Sequence, residues 1–229
     1  MHERCFLTKK DLLWLIAAVV YNFSIYNLGR YLSGAGVHAD LSTALDHAIP
    51  FVPWMILIYW GCYLYWIANY CLGVAWDERG ERRMILAHFI GETVCFLTFV
   101  LYPTTMVRPQ ITGDDIWSRL VALTYAVDAA DNLLPSIHCF VSWLCWIGVR
   151  GNRRIPRWYQ AASLVMAVAV CVSTLTVKQH VIADVAAGII LAEVSWLCAG
   201  TIGGCRHRAG LGKIKKERYS REFTGDISR

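Results

Sequence analysis

Residues 158–203 read WYQAASLVMAVAVCVSTLTVKQHVIADVAAGIILAEVSWLCAGTIG, two apolar runs joined by the short polar step Lys178-Gln179-His180. Each run has the 17–25 mostly apolar residues that a helix needs to cross a bilayer. Working outward with the same criterion gives four more runs, so the six spans fall at roughly 11–32, 49–75, 84–106, 136–150, 158–178 and 180–203, the fourth of them short. The expectation is an all-α polytopic membrane protein of six transmembrane helices, one domain over 1–203, followed by a basic tail over 204–229. Asp11 is expected to cap the first helix, and Pro50 and Pro53 sit near the start of the second, where a missing N–H costs least. The first span is too long and aromatic for a signal peptide and lacks a small-residue cleavage site, so it is read as a mature helix.

Composition agrees with this reading. Of 229 residues, 56% are hydrophobic and 17% charged, against about 45–50% and about 25% in soluble domains, and the mean hydropathy is +0.41. Ten Trp and eleven Tyr beside so few charges exclude a disordered chain. The formal charge of +5 comes from residues at the ends of apolar runs, with no basic stripe interleaved with aromatics, so the expected partner is a membrane surface and not nucleic acid. The nine Cys form no metal-type pairs and fall mostly inside apolar blocks, as small buried hydrophobes.

Six spans put both termini on one side. With that alternation, 18 of the 22 Lys and Arg fall on the face of the termini, and Arg30, Arg108, Arg119 and Lys178 on the other. The positive-inside rule then makes the termini cytoplasmic and turns the connections after spans one, three and five outward. The protein is expected in the cell membrane as a multi-pass protein with an extracytoplasmic site.

Three polar stretches occupy the outer helix ends: Tyr102 to Pro109, Asp128 to His138, and Ser173 to Asp184. In the second, Pro135 suits a first helical turn with Asn132 or Asp131 in the cap region, and the free N–H groups of that start favour an anion beside Ser136 and His138. In the third, His180 and Asp184 are four apart, so on a helix they share a face and the carboxylate accepts from one ring nitrogen, freeing the other as base or nucleophile. Arg108 would add a fork of donors for phosphate oxygens. Arg119 and Asp128 read as loop or helix-surface residues.

These residues resemble the motifs of the type 2 phosphatidic acid phosphatase superfamily, K-x6-R-P, P-S-G-H and S-R-x5-H-x3-D. Arg108-Pro109 represents the first, Pro135-Ser136-Ile137-His138 the second, and Ser173, His180 and Asp184 the third. The run from Asp128 through Asn132 to His138, the Tyr102-Pro103-Thr104-Thr105 stretch, Lys178-Gln179-His180 and Ile49-Pro50-Phe51-Val52-Pro53 are most similar to the inositol phosphorylceramide synthase branch, although Ala130 replaces a Pro often found there. The resemblance implies a six-helix bundle performing metal-independent, cofactor-free phosphoryl transfer on a lipid phosphate or phospholipid. His180 would be the nucleophile, Asp184 its orienting carboxylate and His138 the acid and base. Arg108, Ser136 and Lys178 would bind phosphate, with Asn132 and Gln179 as supporting donors.

Leu101 stands where the first motif has Lys, and Thr174 where the third has Arg. A cradle with fewer cations suits a singly charged diester better than a phosphomonoester. Three other readings stay open: hydrolysis of undecaprenyl or other isoprenoid pyrophosphate, a catalytically silent transporter or scaffold of the same fold, and zinc held by His138, His180 and Asp184. The lipid, the acceptor and the oligomeric state are open as well. His88, Glu92 and Glu193 lie too far along their helices from the polar ends for chemistry, about 20 Å or more in the case of the two Glu, and read as a buried network tying helices together. Asp40, Asp46 and His47 face the site side, as head-group readers or helix caps.

Overall fold

The computed structural model describes residues 7–34, 37–76 and 78–202, so the basic tail over 204–229 lies outside the described residues. The chain is mostly helical: α1 (Lys9–Ser33), β1 (Ala39–Asp40), α2 (Ala44–Ala48), a 3-10 turn (Pro53–Met55), α3 (Ile56–Trp76), α4 (Glu78–Leu101), β2 (Thr104–Thr105), α5 (Ile116–Val127), α6 (Ile137–Val149), α7 (Arg157–Thr176) and α8 (Ile182–Ile202). Five helices are long and apolar enough to cross a membrane: α1, α3 with its 3-10 turn, α4, α7 and α8. Two shorter apolar helices, α5 and α6, accompany them. α5 lies outside the six expected spans.

Several boundaries differ from expectation for local reasons. Thr8, not Asp11, caps α1; Asp11 sits at the third helical position and accepts the Thr8 N–H at 2.7 Å, closing a capping box. The second span begins helical structure only at Pro53, because residues 49–52 run extended and the Val52 N–H is drawn to the Thr176 carbonyl at the end of α7 (3.0 Å). α4 stops at Leu101 instead of 106: Pro103 disfavours helical angles at Tyr102, and Thr104–Thr105 pair in parallel with Ala39–Asp40.

The fourth expected span is α6, only 13 residues long. Eight of them are buried, and the helix packs against α3, α4 and α7. An apolar helix enclosed on its sides is a core element. Phe140, Leu144 and Ile147 of α6 form the main cluster with Met84 and Ile85 of α4 and with Ala192 and Ala199 of α8. The outer surface is apolar in turn, with Leu13, Val20 and Phe23 on α1, Leu64 and Ile67 on α3, Val165 on α7 and Leu197 on α8 all exposed, as suits a lipid-facing side.

In lipid there is little hydrophobic drive for helices to associate, so close packing and polar ties hold them. At Gly91 of α4 a Cβ would lie 2.1 Å from the Phe140 ring, and at Gly188 of α8 it would lie 2.7 Å from the Ser136 carbonyl oxygen. The polar ties include Asn22 to Glu92 (2.7 Å), Tyr70 to His88 (2.8 Å) and His88 to the Ala18 carbonyl (3.3 Å), which join α1, α3 and α4. At the far end Glu193 accepts from Trp143 (3.1 Å) and Arg150 (3.2 Å).

The helices alternate in direction. The C-terminal ends of α1, α4 and α7 therefore lie with the N-terminal starts of α3, α6 and α8, as the contacts Ser33–Asn132, Thr104–Leu134 and Ser136–Asp184 require. The polar stretches converge at that end.

Candidate active site

His180 is not helical as the spacing suggested. It stands just before α8, and Asp184 reaches back from the first turn, accepting the Val181 N–H at 3.0 Å with its Oδ2 lying 3.3 Å from His180 Nδ1. A carboxylate in a first turn is favoured by the unpaired N–H groups there. Upstream, the Gln179 and His180 N–H groups both donate to the Thr174 carbonyl, at 2.9 and 3.2 Å, while Lys178 adopts a left-handed φ of 55°. Both His180 and Asp184 are buried.

Ser136, rather than Asn132 or Asp131, caps α6. Its Oγ accepts the Cys139 N–H at 3.3 Å, and its own N–H donates to the Asp184 carbonyl at 3.1 Å, fastening the start of α6 to that of α8. Pro135 consequently precedes the helix instead of opening it. Asn132 takes a left-handed φ of 52°, a conformation asparagine tolerates better than most residues. One residue into α6, the His138 ring stacks on Tyr59 with centroids 4.4 Å apart and lies 6.2 Å from the His180 ring. Its Nε2 is buried without a hydrogen-bond partner.

A cavity of about 330 Å³ borders these rings, lined in part by side chains of α1, α3 and α5. His138, His180, Gln179 and Asn132 line it directly. Asp184 and Ser136 stand one layer behind, as does Arg108, which donates to the carbonyls of Asp128 (2.5 Å) and Ala129 (3.3 Å) and to Gln179 Oε1, with its guanidinium over the Tyr125 ring. Lys178 is not brought to the cavity. Its ammonium donates to the carbonyls of Asp46 (2.8 Å) and Ile49 (2.6 Å). Desolvation there pulls its pKa below the usual lysine value, partly offset by the Asp46 carboxylate. Leu101 and Thr174, which stand where the resembled motifs have Lys and Arg, add no cation: Leu101 is 78% exposed, and Thr174 is buried with its hydroxyl on the Cys171 carbonyl.

One face of α1 supplies residues that sequence reasoning did not assign. Tyr26 donates to the Asp128 carboxylate, Arg30 lies 3.0 Å from Asp131, and Ser33 donates to Asn132 Oδ1 at 3.1 Å. Their spacing of four and three is a helical stripe, and three polar side chains on one stripe of an apolar helix were the readable sign of it. Asp128, read as a loop residue, lines the cavity, together with Tyr59, Trp60, Tyr63 and Trp66 of α3. Asp46 and Asp40 act as local caps, Asp46 in a capping box with Thr43 and Asp40 on the Ser42 N–H. Among the described residues no group of three or more His, Cys, Asp or Glu is arranged to hold a metal ion.

The fold and site define a helical protein with five helices able to cross a membrane and a buried His-Asp pair beside a second His at the wall of a cavity lined by aromatic rings. No family model, curated protein or solved structure matches the chain.

Proposed function

We propose that this is a six-span, membrane-embedded lipid phosphatase or phosphotransferase of the type 2 phosphatidic acid phosphatase superfamily, working through a phosphohistidine with its site at the extracytoplasmic face. The observation that carries this reading is the pairing of His180 with Asp184 at 3.3 Å beside His138, whose Nε2 has no partner, at the wall of one cavity. In this reading α6 is the sixth span. Its 13 residues reach only about 20 Å, and eight of them are buried against the longer helices that enclose it. Arg30, Arg108, Arg119 and Lys178 all belong to the site end, so the positive-inside rule turns that end outward.

The chemistry divides into two displacements. With Nδ1–H held by Asp184, the Nε2 lone pair of His180 attacks phosphorus and the bond to the leaving oxygen breaks. His138 gives a proton to that oxygen. In the second step His138 takes the proton of water or an alcohol acceptor, whose oxygen replaces His180 on phosphorus. Asp184 stabilises the charged imidazole throughout. Asn132 and Gln179, whose Nδ2 and Nε2 are buried without partners, are placed to donate to phosphate oxygens, and Arg108 braces Gln179 from behind. A cavity lined by α1, α3 and α5, with Phe23, Trp60 and Val127 of its lining exposed on the apolar surface, suits a substrate whose chains stay in the bilayer.

The test is an assay of purified wild type and His180→Ala against phosphatidate, isoprenoid pyrophosphate and common phospholipids, with and without alcohol acceptors, following free phosphate and new lipids by mass. His180-dependent turnover supports the reading, and the product assigns hydrolysis or transfer. Absence of His180-dependent turnover on every substrate favours the silent transporter or scaffold.

A further inference from the structure

The cavity has a second wall that phosphoryl transfer does not use. The Asp128 carboxylate accepts the Tyr26 hydroxyl and shares the cavity lining with Tyr59 and Tyr63, the first of which stacks on His138. Trp60 and Trp66 complete that lining. The neighbouring Asp131 has its charge answered by Arg30 at 3.0 Å, whereas Asp128 is in no salt bridge among the described residues. A carboxylate among electron-rich ring faces suits a cation that offers no N–H donors, because a quaternary ammonium is held by ring quadrupoles and charge alone.

The other wall has the opposite character. Asn132 Nδ2, Gln179 Nε2 and His138 Nε2 are buried nitrogens without partners, and such orphans call for an acceptor to justify their desolvation. The two walls adjoin: the Tyr63 and Trp66 rings lie 6.1 and 5.6 Å from the His138 ring. One cavity therefore brings together buried donors and a carboxylate among aromatic rings.

We infer that the cavity receives a zwitterionic headgroup of the phosphocholine class, its phosphodiester on Asn132, Gln179 and the two histidines and its trimethylammonium beside Asp128 within the aromatic wall. The placement of the phosphate end rests on the phosphoryl-transfer reading above. The cation end rests on the cage alone. A primary ammonium lacks the methyl surface that fills such a cage, and an inositol or glycerol headgroup brings hydroxyls but no cation to answer the Asp128 charge.

The experiment titrates the full chain, in a maltoside detergent free of choline, with phosphocholine, phosphoethanolamine and glycerol 3-phosphate, read by tryptophan fluorescence and calorimetry. Phosphocholine is expected to bind about tenfold or more tighter than the other two, and Asp128→Asn and Trp60→Leu are each expected to weaken it by about tenfold while leaving glycerol 3-phosphate unchanged. Asp128→Asn keeps an acceptor for Tyr26, and Trp60 is partly exposed, so both variants preserve the packing. Equal affinities for the three ligands, or phosphocholine affinity unchanged in both variants, would overturn the inference. A parallel turnover assay separates the two readings. Phosphocholine binding lost in the variants but without His180-dependent turnover leaves the cage standing and removes the transfer chemistry; His180-dependent turnover with no preference for phosphocholine does the reverse.

Discussion

The Asp46 carboxylate and the Ile182 amide, 136 positions apart in the chain, meet at 2.7 Å. The first N–H groups of a helix have no partner within it, so a residue of α2 satisfies the start of α8. The carbonyl of the same Asp46 accepts Lys178 at 2.8 Å. The strap carrying Gln179 and His180 is thus pinned on both sides by residues 46–49, before any substrate arrives.

That clasp has a pH signature. Burial acts to raise the Asp46 pKa, but hydrogen bonds from Thr43 and from the Ile182 N–H outweigh it and hold the carboxyl below its ordinary range. Its stabilisation is then full above the unfolded value, about 3.9, and is lost as pH falls through the lower folded value. Asp46→Ala is expected to cost about 1 kcal/mol, the usual loss on removing a cap, in thermal unfolding between pH 5 and 8, with the difference from wild type shrinking below about pH 4. A difference that does not shrink at all as the pH falls below about 4 would contradict the clasp.

Lys178 separates a structural cation from a phosphate ligand. With its ammonium on two carbonyls, Lys178→Met is expected to lower stability by about 1.5–3 kcal/mol, as for hydrogen bonds to charged groups, while kcat/KM changes little. Chemical denaturation and steady-state kinetics on the same preparation check this. A loss in kcat/KM of about tenfold or more at unchanged stability would return Lys178 to the phosphate.

Two glycines set the approach of α4 and α8 to α6. Gly91→Ala and Gly188→Ala are each expected to destabilise by about 1–3 kcal/mol through overpacking. Only the first should be rescued by Phe140→Leu, because the obstacle at Gly91 is a ring, whereas at Gly188 it is the Ser136 carbonyl oxygen. A double-mutant cycle measures the coupling, and equal rescue of both would refute the crossing geometry.

How much was readable in advance depended on the range of the interaction. Apolar runs reveal bilayer-length helices because the bilayer imposes their length, and the 136–150 run was visibly short, as α6 is. That His180 and Asp184 could touch followed from a spacing of four, although the contact is made by a carboxylate reaching back from the first turn and not across a helical face. Local punctuation was harder: Pro103 ending α4 at Leu101 and Thr8 taking the cap from Asp11 are one-residue competitions between neighbouring caps and breakers. Partnerships across the chain were not legible. Nothing near Asp46 announces Ile182, and nothing near Lys178 announces that two carbonyls, rather than a phosphate, take its charge. The stripe Tyr26, Arg30 and Ser33 was visible as a pattern, but its partners Asp128, Asp131 and Asn132 follow only from the fold.

The most direct test of the central claim is to trap the covalent intermediate. Wild type and Asp184→Asn are mixed with phosphorus-labelled phospholipid, quenched within the first turnover, and the label is located by acid and base lability and peptide mass. The account predicts an acid-labile, base-stable phosphoryl group on His180 in the wild type. In Asp184→Asn, with the ring no longer held in the correct tautomer, label should form slower by up to about 10⁴-fold. Rapid turnover with no label on His180, or label on another side chain, would contradict it.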